Sequence, residues 1–480
     1  MRALSEKAVN LMKLRHVDYG DVRVVRSRRQ QIAVKNGAVE SVAYDEDAGF
    51  GVRVLVKGAW GFAASNVQTV DEMTRVVTRA IETAEASGTV LDQPVQLTHV
   101  RPVVASYDSD CQVDPFDVPL EEKLECLTDA NRTLLDEKSV TIAQCFFSCF
   151  DTHKVFASTE GAFIVQRIKE TGGGLAATAI KDGELQVRSY PNSFRGNFAT
   201  RGYEFFQEMD LPGNAARVAS EAAQLIVAPP CPSGERTIIL DGGQLALQVH
   251  ESIGHPIELD RVLGLEAGFA GTSFLTPDDV GKLRYGSERV NVVADATTPG
   301  GLGTFGYDDE GVPAQRTDII REGVFRGFLS SRETAGVVGR TSSGAMRASG
   351  WHAIPLIRMT NVNLLPGQWD RDHLIADTDD GLLMATNRSW SIDDKRLNFQ
   401  FGCEIAWEIR NGELGRVYRN PTYTGITPQF WASCDAVCGA ADWTMWGTPN
   451  CGKGEPMQTA HVGHGAAPAR FRNVQVGVMK

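Results

Sequence analysis

Apolar residues recur along the chain at two spacings, one typical of helices and one typical of strands. Residues 4–14 have the helical spacing, which predicts a short amphipathic helix. Residues 22–24 and 52–56 instead alternate apolar and polar side chains, and Asn36-Gly37 lies between two further apolar segments as a typical hairpin turn. We therefore predict a helix followed by an antiparallel sheet, one face of which is exposed to solvent.

Longer helical patterns follow the hairpin. Thr69 and Glu72 have the spacing of a capping box, and apolar residues then continue at helical spacing to Ala84. A further helix is predicted after Pro119, β-rich segments at 140–150 and 163–168, and an alanine-rich helix at 215–227. The stretch 228–234 is rich in proline, which is typical of a connection between domains.

This composition shift divides the chain into two domains. We predict an N-terminal α+β domain at residues 1–228, a linker at 229–236 and a C-terminal domain at 237–480. In the second domain, residues 237–240 predict a buried strand, and Asp241 with Gln244 resembles the capping pair of a helix. That helix carries an apolar stripe from Leu245 to Ile253, and most of the remainder consists of short β segments. The predicted fold class is therefore α+β, with helices covering an antiparallel N-terminal sheet and a β-rich, twisted antiparallel C-terminal domain that carries the helix.

Charge and cysteine content exclude several classes of protein. The chain has 48 basic and 60 acidic residues, a net charge of −12, which argues against a general affinity for nucleic acid or anionic membranes. Nine cysteines spread over 480 residues do not indicate a disulfide framework, and the first residues form an amphipathic pattern rather than a signal peptide. No apolar run approaches the roughly 18 residues that span a bilayer. We expect a soluble cytoplasmic protein with no nucleic-acid or membrane partner.

The segment His250-Glu251-Ser252-Ile253-Gly254-His255 places two imidazoles and a carboxylate inside the apolar helical pattern. It is similar to the H-E-x-x-H helix of zinc peptidases, in which two histidines bind the metal and the glutamate activates water. Here the histidines are five residues apart, which on a regular α-helix separates them by roughly 140°. A wider turn of π type would restore a common face, and Gly254 and Pro256 permit such rewinding. We therefore predict an irregular helix end with a metal site for hydrolysis; the alternative is two ordinary surface histidines.

Two glycine-containing segments are candidate phosphate-binding loops. Residues 447–453 match a phosphate-binding loop as far as Lys453, but Gly454 follows where a Mg²⁺-binding Ser or Thr is required. We therefore reject a nucleotide-hydrolase function. The glycine-rich run 300–304 lacks the strand-to-helix context of a dinucleotide site, so a mobile or closely approached loop is favoured over an anion cradle.

Cysteines and histidines near the C-terminus form a second possible metal site. The five candidate ligands are Cys434, Cys438, Cys451, His461 and His464. Their thiolates and imidazoles suit tetrahedral Zn²⁺, but the two-residue spacing of a zinc knuckle is absent, so a separate structural site is the less favoured alternative. Trp443 and Trp446 are interpreted as packing residues rather than substrate contacts.

Five short motifs follow one another through the C-terminal half. They are His250-Glu251-x-x-x-His255, Pro299-Gly300-Gly301, Asp308-Asp309-Glu310-Gly311-Val312-Pro313, Arg358-Met359-Thr360-Asn361 and Asn450-Cys451-Gly452-Lys453. Their order resembles that of the TldD/PmbA family of metallopeptidases, over nearly all of residues 237–480. Residues 49–54 and 61–63 extend the resemblance more weakly into the N-terminal domain. One departure is Pro256, where the family pattern usually has glycine.

The TldD type of this family carries the metal motif and the PmbA type lacks it, so the chain resembles the catalytic type. The resemblance implies one Zn²⁺ per chain, bound by His250, His255 and Cys451, with Glu251 as catalytic base. It also implies a homodimer, or a heterodimer with a PmbA-type subunit, that encloses the active site in an internal cavity. The N-terminal domain is then expected to serve in dimerisation or as chamber wall. The implied substrates are short or unfolded peptides, and in some systems a peptide precursor that is matured.

Two functions remain open at this point. The first is a zinc-dependent peptidase, and the alternative is a catalytically idle subunit that binds peptides or stabilises an active partner. The intact set of ligands and base weighs against the alternative, because a scaffold needs neither an open metal position nor a base beside it. In an enclosed site, the loop 300–303 and the acidic turn 308–311 are the elements that we expect to line the chamber.

Overall fold

Residues 1–193, 196–268 and 271–477 are described by the computed structural model of the chain. The α-helices of these residues are α1 (Arg2–Leu14), α2 (Val70–Gly88), α3 (Leu120–Leu135), α4 (Tyr203–Glu208), α5 (Leu211–Val227), α6 (Gly242–Val249), α7 (Leu259–Val262), α8 (Arg371–Ala376) and α9 (Thr427–Ala432). Two 3-10 turns, Pro277–Asp279 and Ala335–Val338, and a π-helical turn, His250–Gly254, accompany them.

The strands fall into two series. The N-terminal series is β1 (Tyr19–Lys35), β2 (Ala38–Val56), β3 (Ala59–Ser65), β4 (Val104–Asp108), β5 (Val140–Ser158), β6 (Phe163–Lys181), β7 (Glu184–Tyr190) and β8 (Asn197–Ala199). The C-terminal series is β9 (Gly234–Leu240), β10 (Val292–Asp295), β11 (Arg316–Arg321), β12 (Val324–Phe325), β13 (Met346–Arg347), β14 (Leu356–Ile357), β15 (Val362–Leu364), β16 (Asp380–Ile392), β17 (Asn398–Arg410), β18 (Glu413–Arg419), β19 (Thr422–Ile426), β20 (Cys434–Val437), β21 (Thr444–Lys453), β22 (Gln458–Ala466) and β23 (Ala469–Val476). The mixture of helices and mainly antiparallel sheets confirms the α+β fold class.

The N-terminal sheet is built on the hairpin of β1 and β2. Asn36 and Gly37 at its tip have φ angles of 49° and 78°, the positive values that a two-residue hairpin turn requires. The strands pair in the order β3-β2-β1-β5-β6-β4, and β7 and β8 also pair with β6. All these pairs are antiparallel except β4 with β6. The predicted hairpin is confirmed, and β5 and β6 extend well beyond the predicted segments.

Helices cover this sheet in two groups. α1 and α2 pack over β1 and β2, and Thr69 Oγ1 accepts a hydrogen bond from Glu72 N at 3.3 Å, as the capping pattern predicts. α3 and α5 pack over the other end, where Leu127 and Leu134 lie in one apolar cluster with Phe147 of β5. Both helices occur at the predicted positions. The apolar face of the sheet is thereby buried, which stabilises each group by removing apolar area from water.

Five of the C-terminal strands form a closed ring of pairings, and the sheets β12-β11-β10-β15, β13-β14 and β21-β22 lie outside it. β9 is parallel to β16 and antiparallel to β23, and the pairing continues through β19 and β17 back to β16. β9 is flanked on both sides, so Ile238, Ile239 and Leu240 are fully buried, as predicted. The helix that follows β9 therefore starts inside the core.

This helix, α6, begins with Asp241 as its N-cap, because Asp241 Oδ2 accepts a hydrogen bond from Gly243 N at 3.4 Å. The predicted role of Gln244 as the second member of the capping pair is wrong: its Nε2 donates to the hydroxyl of Tyr423 at 2.8 Å. Leu245, Val249 and Ile253 are fully buried, which confirms the apolar stripe. The stripe fixes the rotation of the helix and so the direction of the turn that follows it.

The two largest sheets are separate in sequence. The N-terminal sheet takes its strands from residues 19–199, and the ring takes its strands from residues 234–476. On this basis we keep, as a proposal, the division into domains at 1–228 and 237–480 with a linker at 229–236. Among the described residues, no helix combines the length and apolar character required to cross a membrane.

Candidate metal centre

The helix rewinds where the two histidines lie. α6 ends at Val249, and the backbone continues as a π-turn over His250–Gly254, in which His255 N donates to His250 O at 3.1 Å. A hydrogen bond across five residues places His250 and His255 one above the other, and their ring centroids are 4.8 Å apart. The predicted π-type turn is confirmed.

Pro256 helps to explain why the turn forms here. In a continued α-helix the carbonyl of Ser252 would accept a hydrogen bond from residue 256, but proline has no N–H. The hydroxyl of Tyr285 donates to Ser252 O instead, so the carbonyl is not left without a partner. Gly254 is required for packing, because a Cβ atom there would lie 2.1 Å from Met359 Sδ.

The third donor arrives on a distant strand. Cys451 lies in β21, just after the pairing of β21 with β22 shifts register between Thr448 and Cys451. Its Sγ is 3.9 Å from His255 Nε2, and the donor atoms of His250, His255 and Cys451 all lie within 4.8 Å of one another. All three residues are buried. The structure thus brings together the three residues that the resemblance implies as ligands.

The protonation of these groups suits a metal. His250 Nδ1 is 2.7 Å from His464 Nε2, and His255 Nδ1 is 3.0 Å from Glu258 Oε2, so the Nε2 atoms remain for a ligand. Burial lowers the pKa of both His250 and His255, which favours neutral rings. Burial alone would raise the pKa of the Cys451 thiol, but His255 and Arg358 outweigh it and lower that pKa. In a tetrahedral zinc site, neighbouring N and S donors are separated by about 3.6 Å, and the 3.9 Å between Cys451 Sγ and His255 Nε2 is close to this spacing.

Four buried charged residues, Glu258, Asp260, Arg261 and Lys453, form what we call the rear cluster, behind His255. Lys453 Nζ bonds Asp260 at 2.8 Å and lies 3.4 Å from Glu258, and Arg261 Nε is also 3.4 Å from Glu258. Burial disfavours the charge of Glu258, but Lys453 and His255 outweigh it and hold its pKa well below its usual value. Lys453 therefore ties the strand of Cys451 to the carboxylate that orients His255, a structural role rather than phosphate binding.

Glu251 lies beside the donors and is paired with Arg396. Arg396 Nη1 donates to Glu251 Oε2 at 2.6 Å, and both side chains are largely buried. Arg396 has a positive φ of 62° in the turn between β16 and β17, 145 residues further along the chain. Arg396 cannot be identified from the sequence, since nothing in a polar hairpin turn indicates which helix the turn will contact.

A cavity of about 280 Å³ opens onto the metal centre. Its walls include the four predicted site residues together with Asn192, Asn387, Trp390, Arg396, Trp446 and residues 447–448 and 450–452. Trp446 lines this cavity and also packs against the C-terminal apolar core, which agrees with its interpretation as a packing residue. The loop 300–303 and the acidic turn 308–311 are not among the residues that line it, so their place in the wall of an enclosed chamber stays a prediction.

The glycine-rich loop and the acidic turn both have contacts elsewhere in the chain. Gly303 N donates to Asn361 Oδ1 at 2.8 Å, and a Cβ atom at Gly303 would lie 2.3 Å from Thr360 O, so the glycine run is a closely approached loop. The acidic turn joins the two halves of the chain. The charged residues that meet there form what we call the junction cluster: Asp21, Arg23, Arg53 and the partly buried Lys154 of the N-terminal half, and Asp309 and Glu310 of the turn.

The proposed second metal site does not form. His461 Nδ1 is 2.8 Å from Glu170 Oε2, His464 bonds His250, and Cys434 pairs along β23. Within residues 1–193, 196–268 and 271–477, the His250, His255 and Cys451 group is the one that could hold a metal ion. His464 is not a member of this group, but its Nε2 contacts Nδ1 of His250.

Models of protein families match three parts of the chain. The model described as PmbA/TldA metallopeptidase C-terminal domain matches residues 233–477. Those described as domain 1 and central domain of the same metallopeptidase match residues 20–84 and 113–228. The N-terminal half thus corresponds to two family models, and the two segments that they match contribute strands to the same sheet.

Curated relatives match over most of their length. A metalloprotease of Methanocaldococcus jannaschii is 32% identical over 421 residues, 88% of this chain and 89% of that protein. A metalloprotease of Methanothermobacter thermautotrophicus is 30% identical over 463 residues, 96% of each chain. A protein of Saccharolobus solfataricus named zinc metalloprotease TldD homolog is 21% identical over 468 residues, 96% of each chain.

The fold also occurs among solved structures. The crystal structure of TldE from Thermococcus kodakarensis matches with a TM-score of 0.72 and 16% sequence identity, and the match covers 100% of both chains. At this identity the likeness shows the fold alone.

Proposed function

Because the chain belongs to the TldD/PmbA family of metallopeptidases, we propose that it hydrolyses peptide bonds with one zinc ion held by His250, His255 and Cys451 and with Glu251 as catalytic base. The observation that carries the proposal is the convergence of these four side chains, from two distant segments, on one cavity. When bound, zinc supplies Lewis acidity that activates water and polarises a peptide carbonyl. The name of the zinc metalloprotease relative supports the choice of metal.

The residues around the base suit proton transfer. Arg396 holds Oε2 of Glu251, so we assign Oε1 to the chemistry. In this role Glu251 takes a proton from the attacking water and delivers it to the leaving amine. A charge-assisted hydrogen bond from a largely buried guanidinium fixes the orientation of the carboxylate.

The size of the cavity suggests the form of the substrate. Its volume of about 280 Å³ lies near the lower limit of ordinary ligand pockets, roughly 300–1,000 Å³, so it suits a segment of extended chain and not a folded domain. β21 contributes residues 446–448 and 450–452 to the wall. We propose that a short or unfolded peptide pairs with backbone groups of this strand, with little demand on side-chain identity. Maturation of a peptide precursor would use the same geometry.

The assembly and location are further parts of the proposal. We propose a cytoplasmic protein that acts as a homodimer or as a heterodimer with a PmbA-type subunit, the N-terminal domain forming a wall of the enclosed chamber. The net charge of −12 supports the absence of nucleic-acid and membrane partners. The alternative function, an idle peptide-binding or partner-stabilising subunit, is separated from the peptidase by the following experiment.

The purified chain is analysed for metal and then offered a short unstructured peptide, beside a stable folded domain that contains the same peptide in a structured region. We expect zinc in the protein, cleavage of the free peptide alone, loss of cleavage with a chelator and recovery with added zinc. Equal cleavage of both substrates, or full activity of a proven monomer, would contradict the enclosed chamber. A zinc-loaded chain that binds the peptide without cleaving it would favour the idle subunit.

The ligand assignment has a matched control within the chain. Cys451→Ala removes a proposed ligand, whereas Cys434→Ala removes another buried thiol outside the centre. We expect zinc content to fall sharply in the first variant and to stay at the wild-type level in the second. Unchanged zinc content in Cys451→Ala would exclude Cys451 as a ligand.

A further inference from the structure

The outer partner of His250 is another histidine, whose ring is bonded on both sides. His464 is 1% exposed in β22, with Nε2 2.7 Å from His250 Nδ1 and Nδ1 3.2 Å from the carbonyl oxygen of Val362. A carbonyl oxygen only accepts hydrogen bonds, so the single ring hydrogen of a neutral His464 lies on Nδ1 and its Nε2 is an acceptor. The hydrogen shared between the two rings then belongs to His250 Nδ1.

We propose that His464 is a positioning residue, which selects the tautomer of His250 that leaves Nε2 free to bind zinc. In the opposite tautomer His250 Nε2 would carry a hydrogen and could not donate a lone pair to a metal. This inference rests on the zinc site of the proposed function and extends it to a residue that no ligand motif contains.

The backbone fixes His464 relative to the carbonyl that orients it. Gly463 N donates to Thr360 O at 3.1 Å, and Gly465 N donates to Asn363 Oδ1 at 2.8 Å. These bonds lie on both sides of His464 and hold β22 against β15, the strand that begins at Val362. The distance between the imidazole and the carbonyl is therefore set by main-chain packing and not by the side chain alone.

The glycines on either side of His464 make this close packing possible. A Cβ atom at Gly463 would lie 2.1 Å from Asn361 Oδ1, and one at Gly465 would lie 1.7 Å from the ring of Trp443. Any side chain at either position would push β22 away from its neighbours. Asn361 is itself fixed, since its Nδ2 donates to Asp295 O at 2.7 Å. The two glycines of Gly463-His464-Gly465 thus allow β22 to pack closely enough to hold the His464 imidazole beside His250.

The two proposed histidine ligands are oriented by different chemistry with the same result. The Glu258 carboxylate accepts from His255 Nδ1, whereas a neutral imidazole accepts from His250 Nδ1. Each arrangement places the ring hydrogen on Nδ1 and leaves Nε2 free. The neutral partner does so without adding a second negative charge beside the metal centre.

Zinc affinity tests the proposal independently of turnover. Competition with a chromophoric chelator is used on wild type, His464→Leu, His464→Gln and, as a control on the same strand, His461→Leu. Loss of such an outer partner typically weakens metal binding 10- to 100-fold, which we expect for His464→Leu. His464→Gln keeps an acceptor and a donor and should recover most of the affinity, while His461→Leu should bind as wild type does.

The outcomes separate this inference from the proposed function. A wild-type chain that binds no zinc would contradict the proposed function. Wild-type affinity in folded His464→Leu, or equal losses in the leucine and glutamine variants, would overturn the role of His464 and leave the zinc site intact.

A spectroscopic measurement covers the case in which His464→Leu does not fold. The ¹⁵N spectrum of histidine-labelled, chelator-treated wild type reports the tautomer of each ring, and the His464→Gln spectrum assigns the pair. We expect the Nδ1–H tautomer at His250 and at His464. An Nε2–H tautomer at His250 would overturn the proposal.

Discussion

The rear cluster and the junction cluster are both buried, charged and built partly from residues of the recognised motifs, yet their partners come from different places. In the rear cluster every residue belongs to the C-terminal half, and the hydrogen bond to Glu258 orients the ring of His255. In the junction cluster the acidic turn is bonded by Arg53 and Lys154 of the N-terminal half. One cluster therefore supports the candidate metal centre, and the other connects the two halves of the chain.

This difference shows what buried charge can be used for. An isolated buried ion is costly, and a cluster persists only where paired charges and hydrogen bonds compensate for lost hydration. In the rear cluster the compensating charges lie within the C-terminal half, beside the proposed zinc ligands. We therefore expect substitutions at neighbouring residues to affect zinc binding and turnover. The junction cluster compensates across the two halves, so we expect changes there to affect the free energy of unfolding.

The largest expected effect separates chemistry from stability at the metal centre. Glu251→Gln keeps the size of the side chain and an acceptor for Arg396 but removes the proposed base. We expect turnover to fall roughly 10²- to 10⁴-fold, the usual contribution of a general base, with zinc content unchanged; urea unfolding measures separately what the lost charge beside Arg396 costs in stability. Steady-state kinetics on the zinc-loaded variant measure this. Near-normal turnover would remove Glu251 from the role.

The reverse result is expected at the junction cluster. Arg53→Met leaves the carboxylates of Asp21 and Glu310, both about 1% exposed, without their shared cation. Breaking a buried pair from one side costs about 3–5 kcal/mol, so we expect a loss of that size in urea unfolding. Turnover per folded molecule should stay at the wild-type level. A wild-type unfolding curve, or a turnover loss in the folded fraction, would contradict the separation.

A change of pH sharpens the comparison at Asp309. Burial disfavours its charge, but Lys154 and Arg23 outweigh burial and lower its pKa. Such a carboxylate contributes stability above its unfolded pKa of about 3.9, and that stability is lost as the pH falls through the lower folded pKa. We expect Asp309→Asn to lower the free energy of unfolding by about 1–3 kcal/mol at neutral pH. The difference from wild type should shrink below about pH 4.

Urea unfolding of both proteins at a series of pH values measures this difference. A gap that stays constant from neutral pH to pH 3 would mean that the charge of Asp309 is not what stabilises the junction.

The smallest effect is expected outside both clusters. Arg284 and Glu288 form an ion pair at 3.7 Å, with side chains 55% and 80% exposed. Exposed pairs contribute little, so Arg284→Ala should change the free energy of unfolding by about 0.5 kcal/mol or less and leave turnover unchanged. A loss comparable to that of Arg53→Met would show that burial does not distinguish the two kinds of pair.

The sequence predicts correctly those elements of the fold that depend on interactions between residues close together in the chain. Asn36-Gly37 predicts its hairpin because both residues accept positive φ, and Gly254 with Pro256 predicts the rewound helix because both act on neighbouring backbone. Gln244 shows where local prediction fails. It has the spacing of a capping residue, but its side-chain amide donates a hydrogen bond to the hydroxyl of Tyr423, 179 residues away. Tertiary contacts override local preference there.

The candidate site divides in the same way. His250, Glu251 and His255 lie within one turn, so their pattern is visible in the sequence. Cys451 was supplied by resemblance, since four other cysteine and histidine candidates, Cys434, Cys438, His461 and His464, shared its chemistry. Arg396 was not identified, and His464 was considered only for the alternative second metal site. Their contacts depend on how a hairpin turn and a paired strand approach the helix, over 145 and 214 residues.

The π-turn at His250–Gly254 also affects how sequences are compared. Two imidazoles that are neighbours around the helix axis stand one residue further apart in the chain than they would on an α-helix. An alignment with a peptidase whose histidines are four apart must therefore place a one-residue gap inside a helix, where gaps are ordinarily penalised most. A search pattern written for the shorter spacing passes over this segment, whereas one that allows an inserted residue at Gly254 detects it.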